Sequence, residues 1–425
     1  MAQDPLHVLW IEPHFPGRLG AVADWLVRRR GYRATFYCHR VEPRETWPPS
    51  VGQGLEVNVF GLGGVARDQA VTWSRTLERS LCYSYGCWEV LEKRRPRSID
   101  LVVGRSMGLG SSLFAPVYAP EAPVVSYLDY YYHAHRHDLA GEAGPDTAPA
   151  YFHWRRSMAA IDLLDLEQAA LAWTATTWQR GLYPAEYRDS VLVLHDGIDT
   201  RRLGASARRN APAGARSIGG RIIPGSTRVV TFVARSLDCL RGLDRFLKLA
   251  DVLLRSSPDV LCVLAGDPIV RRGLDVAFHN RDYSAHLLGQ NPPFDRSRLW
   301  FLGLSSPSVV AEVLAASDLH VAPARPYPVA RSLLEAMAAG CVVLATDTEP
   351  HREVISPGET GLLVEERDSD ALARQALDVL ADPAAFRPLG EAAGALVHEH
   401  YSQDVCLPRL AEEFGSLAAA KGGWW

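Results

Sequence analysis

Short apolar runs alternate with longer stretches of helical periodicity along the whole chain. HVLWI (7–11), ATFYC (34–38), LEVNVF (55–60), DLVVG (100–104), PVVSYL (123–128) and VLVLH (191–195) form a first series of candidate strands. RVVTFVA (228–234), DVLCVLAG (259–266), LWFLG (299–303), LHVAPA (319–324) and CVVLAT (341–346) form a second. Unbroken Val, Leu and Ile runs suit strands covered on both faces, and intervening helices make the sheets parallel. The pattern therefore predicts an α/β protein of two Rossmann-like, doubly wound halves, 1–198 and 199–402. Two such sheets facing each other would bring their carboxyl ends to one cleft, where open α/β sheets hold ligands. The segment 200–227, rich in Gly, Ala, Arg and Ser, shows no clear periodicity and reads as a surface excursion at the boundary. A similar polar stretch, 140–150, interrupts the first half, and a last patterned helix lies near 403–418.

At 425 residues the chain exceeds what one hydrophobic core covers, which agrees with two domains. A formal net charge of −4 gives no reason to expect a nucleic-acid partner. The seven cysteines are odd in number and include no CxxC, so neither a zinc site nor a disulfide framework is expected; Cys262 and Cys341 read as core residues. The N-terminus shows no signal peptide and no run approaches membrane-spanning length, so a cytoplasmic protein without stable membrane insertion is expected.

The second half carries the stronger chemistry. Arg235 and Arg241 fall between the 228–234 strand and the next helix, where two guanidiniums could clamp a diphosphate. Gly266, at the end of the next strand, would let a flat ring approach the backbone. In RSLLEAMAAG, Ser332 is a candidate N-cap, and the amides near Arg331, Ser332 and Leu333 would face the cleft with the positive end of the helix dipole. Glu335, one turn in, suits a ribose; on local grounds a capping box with Ser332 is the better reading.

In the first half, SYLDYYYHAHRHD (126–138) follows a strand and holds Tyr127, Asp129, Tyr130, Tyr131, Tyr132 and His133, with His135 and His137 beyond. The tyrosines read first as packing; as a site they would hold a planar or quaternary ammonium acceptor by cation–π attraction, about 1–2 kcal/mol per contact. The histidines have no metal-ligand spacing. Asp368 in DSD reads as a helix cap rather than a metal ligand.

Order and spacing extend the picture. Arg235, Arg241, AGD (265–267), FLG (301–303), Ser332 to Glu335, AMAAG (336–340), VLATDTEPHREVI (343–355) and GLLV (361–364) resemble the retaining glycosyltransferases of family 4. In the first half, 11–32 and 165–199 resemble the same family in the same order. The resemblance implies the GT-B fold, with an N-terminal acceptor domain, a C-terminal nucleotide-sugar domain and the final helix, about 403–425, packing back on the first. It implies that Arg235 and Arg241 are catalytic, contacting the donor diphosphate; that Glu335 holds the ribose; and that Gly17 and Arg18 close over the phosphates. The family's E-x7-E motif would place its first acid at 327. This chain has Tyr327, resembling a bacterial subgroup without that acid, and it carries Arg105 where the family has a histidine.

The expected function is thus retaining, metal-independent sugar transfer from a GDP- or UDP-linked sugar to a small-molecule acceptor, as in natural-product (antibiotic) biosynthesis. No further cofactor is expected, and a homodimer is left open. Assembly of a cell-surface polysaccharide or glycoconjugate is the alternative within the enzyme class, and a non-catalytic nucleotide-sugar-binding protein is the alternative outside it. An NAD-dependent dehydrogenase is disfavoured, because no G-x-G-x-x-G follows the first strand.

Overall fold

The computed structural model describes residues 5–63, 72–96, 98–106, 110, 112–133, 149–209, 216–269, 282–290 and 296–420. The chain divides into two units, Met1–Gly197 with Gln403–Trp425, and Ile198–Ser402.

The first unit is built on seven parallel strands: β1 (His7–Ile11), β2 (Arg33–Cys38), β3 (Leu55–Val59), β4 (Leu101–Arg105), β5 (Val124–Tyr127), β6 (Leu171–Thr174) and β7 (Val191–Val193). Their order across the sheet is β3-β2-β1-β4-β5-β6-β7. All five residues of β1 are buried, and the strand period of two divides them between opposite faces. Val8 and Trp10 pack with Leu26 of the Leu19–Arg30 helix and with Leu407, Leu410 and Phe414 of the C-terminal Gln403–Ala419 helix. Leu9 and Ile11 pack on the other side with Cys87 and Leu91 of the Thr72–Arg94 helix.

The second unit repeats the plan with β8 (Arg228–Ser236), β9 (Val260–Asp267), β10 (Leu299–Phe301), β11 (Leu319–Ala322), β12 (Val343–Asp347) and β13 (Leu362–Glu365). The order is β10-β9-β8-β11-β12-β13, again all parallel. Val229, Val263 and Val343 meet Leu333, Leu334 and Met337 of the Arg331–Ala338 helix in its core. In each unit the winding starts in the middle, runs to one edge and then jumps back past its first strand. The switch falls between β1 and β4 in one unit and between β8 and β11 in the other. There the helices leave on opposite faces and a crevice opens beyond the carboxyl ends.

Three segments depart from the pattern reading. Strands β6 and β13, of four residues each, are absent from the pattern reading. The 200–227 region is not an irregular excursion: it forms the Thr200–Arg209 helix and a hairpin, Arg216–Ile218 with Arg221–Ile223. Leu203, Ile218 and Ile223 of this segment are buried, whereas Ile222 faces solvent and arginines recur along the rest. Residues 140–148 lie outside the described residues, and the Pro149–Glu167 helix begins directly after them.

Two buried histidines make a pH test of the second unit. Burial lowers His320, on β11, to about 3 and His351 to about 4, from an ordinary 6.5. Both stay neutral in the folded chain, whereas the unfolded chain takes up their protons once pH falls below 6.5. Their contribution is therefore intact above 6.5 and declines from there toward 4, each adding a slope of up to about 1.4 kcal/mol per pH unit. Urea unfolding at pH 7.5, 6 and 5 should show falling stability, and His320→Gln should flatten the fall. A His320→Gln profile parallel to the native one would contradict this.

Candidate functional site

Helix N-termini and strand ends converge at both switch points, and the two are filled differently. In the first unit Glu12 follows β1 directly. Its carboxylate accepts from the amides of Arg18 (3.1 Å) and Leu19 (2.9 Å), so the chain's own anion occupies the start of the Leu19–Arg30 helix. Gly17 permits this: at φ +54°, a Cβ there would lie 2.4 Å from Glu12 Oε2. Across the switch, Arg105 at the end of β4 donates to Glu12 Oε1 at 2.5 Å and, through Nη2, to Asp129. Arg18 donates through Nη1 to Asp196 Oδ1 at 2.8 Å and to the Tyr127 hydroxyl at 2.7 Å. Burial opposes the Arg18 charge, yet Asp196 and Tyr127 hold it well above its ordinary value.

The expected donor loop, Gly17 and Arg18, is thus taken up within its own unit. So are the tyrosines. Tyr127 and Tyr130 are fully buried, and Tyr131 and Tyr132 nearly so. Tyr127 packs edge-on against Trp173 (4.6 Å), Tyr130 against Tyr132 (4.9 Å) and Tyr132 against Trp154 (5.1 Å), while Tyr131 meets Tyr183 (5.3 Å) at a tilt. The cations over these faces are internal, Arg18 on Tyr127 (5.6 Å) and Arg155 on Tyr132 (5.4 Å). This corrects the ammonium cage: its rings are core, and Arg18 and Arg155 already supply cations to two of them. His133 Nε2 meets the Leu182 carbonyl, and its own carbonyl accepts from Arg155 Nε. His135 and His137 lie outside the described residues.

The second switch point is organised around the turn after β8. Asp238 accepts from the Arg241 amide at 2.9 Å. Gly242, at φ +82°, lets that turn pass the end of β11; a Cβ there would lie 2.0 Å from the Pro323 carbonyl oxygen. Arg325 ties the same turn down, pairing with Asp244 at 2.9 and 3.1 Å and donating to the Cys239 carbonyl. So anchored, the Arg241 guanidinium donates to the Pro328 carbonyl at 2.7 Å and lies 5.0 Å above the Tyr327 ring centroid. Arg235 is exposed near the end of β8.

The Arg331–Ala338 helix starts differently from expectation. Its N-cap is Ala330, not Ser332. Ser332 lies inside the first turn, and its hydroxyl donates to the Val233 carbonyl of β8, binding the helix start to the strand end across the switch. The Leu333 amide is also committed, to the Ala330 carbonyl at 3.0 Å, which takes it out of the anion-facing set expected at 331–333. No capping box forms. Glu335 receives Arg202 Nη2 at 3.3 Å and Arg331 Nε at 3.5 Å, both on Oε1. The Cβ direction of Gly266 faces the Ala234 carbonyl and Leu237, so its smallness serves strand packing. Asp368 caps its helix through the Ala371 amide at 2.7 Å, as read from the sequence.

Glu12, Asp196, Arg202 and the Arg325–Asp244 pair escaped sequence reasoning. For Glu12 and Asp196 a signal existed: each is an acid lying just beyond an apolar strand, in WIEPH and VLVLHD. A surface cavity of about 400 Å³, bounded by Glu92, Arg95, Ile99, Tyr118 and Glu121, lies by the amino ends of β4 and β5, at the wrong end of the sheet for this chemistry.

Among the described residues no group of three or more His, Cys, Asp or Glu could hold a metal ion, and no helix is long and apolar enough to cross a membrane. Replacing Asp196 by Asn leaves Arg18 without its buried counter-ion, and the expected loss is about 3–5 kcal/mol of stability. Chemical denaturation measures it, and a change below about 1 kcal/mol would contradict the pairing.

Comparison with known proteins bears on both units. The family model described as "Glycosyl transferase family 4 group" matches residues 30–203, and "Glycosyl transferases group 1" matches residues 220–395. The chain is 37% identical over 107 residues to N-acetyl-alpha-D-glucosaminyl L-malate synthase of Bacillus anthracis, 25% of this chain and 28% of that protein. It is 36% identical over 99 residues to the lipopolysaccharide core biosynthesis mannosyltransferase LpcC of Rhizobium leguminosarum bv. viciae, 23% of this chain and 27% of that one. The match therefore spans less than a third of either relative's length. Among solved structures, sucrose-phosphate synthase from Thermosynechococcus elongatus superposes over 98% of this chain and 100% of its own, with TM-score 0.70 and 16% identity. Anabaena HepE in complex with UDP-glucose covers 97% and 100%, with TM-score 0.67 and 18% identity. The fold is GT-B.

Proposed function

We propose, from the premise that this chain is a GT-B protein resembling glycosyltransferase family 4, that it transfers a sugar from a nucleoside-diphosphate sugar to a small-molecule acceptor with retention at the anomeric carbon. The observation that carries the reading is the β8–β11 switch point. There a cation held over a ring, the start of a helix and a carboxylate one turn into that helix are gathered by short, defined contacts.

In this reading the donor lies at the carboxyl end of the second unit's sheet. Arg241, assisted by Arg235 and the amides of Arg331 and Ser332, takes the diphosphate, and Glu335 takes the ribose hydroxyls. As the bond between the anomeric carbon and the diphosphate oxygen breaks, its electron pair stays on the nucleoside diphosphate. Negative charge grows beside Arg241, and a cation positioned beforehand lowers that barrier more than it tightens the ground state. The acceptor atom bonds to the anomeric carbon on the same face, and its proton passes to the departing phosphate oxygen. The step then needs no protein nucleophile and no metal ion, only positioning. His133, at the carboxyl end of the first unit's sheet, is the proposed acceptor contact, since Asp129 is buried and committed to Arg105.

A second reading, sugar transfer in surface-polysaccharide or glycolipid assembly, is favoured by the names of two relatives. One is the lipopolysaccharide core enzyme above. The other is phosphatidyl-myo-inositol mannosyltransferase of Mycolicibacterium smegmatis, 27% identical over 166 residues, 37% of this chain and 38% of that protein.

Slow hydrolysis of UDP- or GDP-sugars by the full chain without acceptor supports an enzyme; binding with no turnover under any acceptor supports a binding protein. Glu335→Gln should raise the donor KM about 10-fold or more, as expected for loss of hydrogen bonds to a charged acceptor, with a smaller change in kcat. Unchanged donor KM would remove the ribose assignment.

A further inference from the structure

The arginines around the two switch points show a contrast. Arg18 pairs with Asp196, Arg105 with Glu12 and Asp129, Arg202 and Arg331 with Glu335, Arg245 with Glu366, and Arg325 with Asp244. The Arg241 side chain has no such acid among the described residues. Its contacts are a neutral carbonyl, Pro328, and the face of Tyr327, a residue itself only 9% exposed.

A guanidinium carries five N–H donors around a planar edge. A carboxylate beside it would take two of them in a fork and cancel its charge. An aromatic face attracts the cation through its quadrupole, leaves the edge donors available and removes no net charge. The Pro328 carbonyl then fixes rotation in the ring plane at the cost of one donor.

We propose that Tyr327 is a positioning residue for the donor site, orienting Arg241 by its ring face without neutralising it, so that Arg241 meets the donor diphosphate with its full charge. The inference rests on the donor reading above. It also reverses a natural expectation: an acid placed at 327 would pair with Arg241 and weaken diphosphate binding, rather than restore a function.

Calorimetric titration of the full chain with UDP, GDP and ADP, and with the matching monophosphates, tests it on Tyr327→Phe, Tyr327→Leu and Tyr327→Glu, with thermal unfolding checking that each variant is folded. Tyr327→Phe keeps the ring and should bind the preferred diphosphate within about 2-fold of native. Tyr327→Leu fills similar space without a quadrupole and should weaken it about 5- to 10-fold. Tyr327→Glu should weaken it about 10-fold or more, with the preference for diphosphate over monophosphate shrinking in step. A Tyr327→Leu protein that binds like Tyr327→Phe, or a folded Tyr327→Glu protein that binds as tightly as native, overturns the inference and leaves the donor reading standing. A native chain that binds none of these nucleotides overturns both.

Discussion

What each unit places at its topological switch point is the constraint on which the rest depends. A parallel sheet wound outward from its middle leaves strand ends beside a helix N-terminus, and that end attracts negative charge. The first unit answers this internally, with Glu12 on the amides of Arg18 and Leu19. In the second unit Ser332 fastens the helix start to β8, Arg325 and Gly242 fasten the preceding turn to β11, and Glu335 is drawn toward Arg202 and Arg331. The same local physics yields a closed structural knot in one unit and a candidate diphosphate site in the other.

This contrast also divides the buried charges by role. The network of Arg18, Arg105, Glu12, Asp129 and Asp196 ties the ends of β1, β4, β5 and β7 to a helix start, and removing one member would strand its partner in a low-dielectric setting. Arg241 is different in kind. It is held by a ring and a carbonyl, which fix its place and leave its charge intact.

Much of the fold was legible in the sequence because buried parallel strands are written as unbroken Val, Leu and Ile runs. The short strands at 171–174 and 362–365, and the arginine-rich 200–223 segment, were not, since each buries only a few side chains. The candidate site was legible in part. Arg241, Tyr327 and Glu335 stood out by order and spacing. The structure supplied what lies far apart in sequence: Ser332 reaching Val233, Arg202 reaching Glu335, and Arg18 reaching Asp196. The tyrosine cluster was the instructive case, because four tyrosines at and just beyond one strand end look like a cage on paper. Burial and the chain's own arginines make them core.

The central claim is that the start of the Arg331–Ala338 helix and the turn carrying Arg241 together receive a nucleoside diphosphate. Hydrogen–deuterium exchange of the full chain with and without saturating UDP or GDP tests it most directly. The account predicts slowed exchange in peptides spanning 326–338 and 237–245. Nucleotide binding that leaves both stretches unchanged would contradict it.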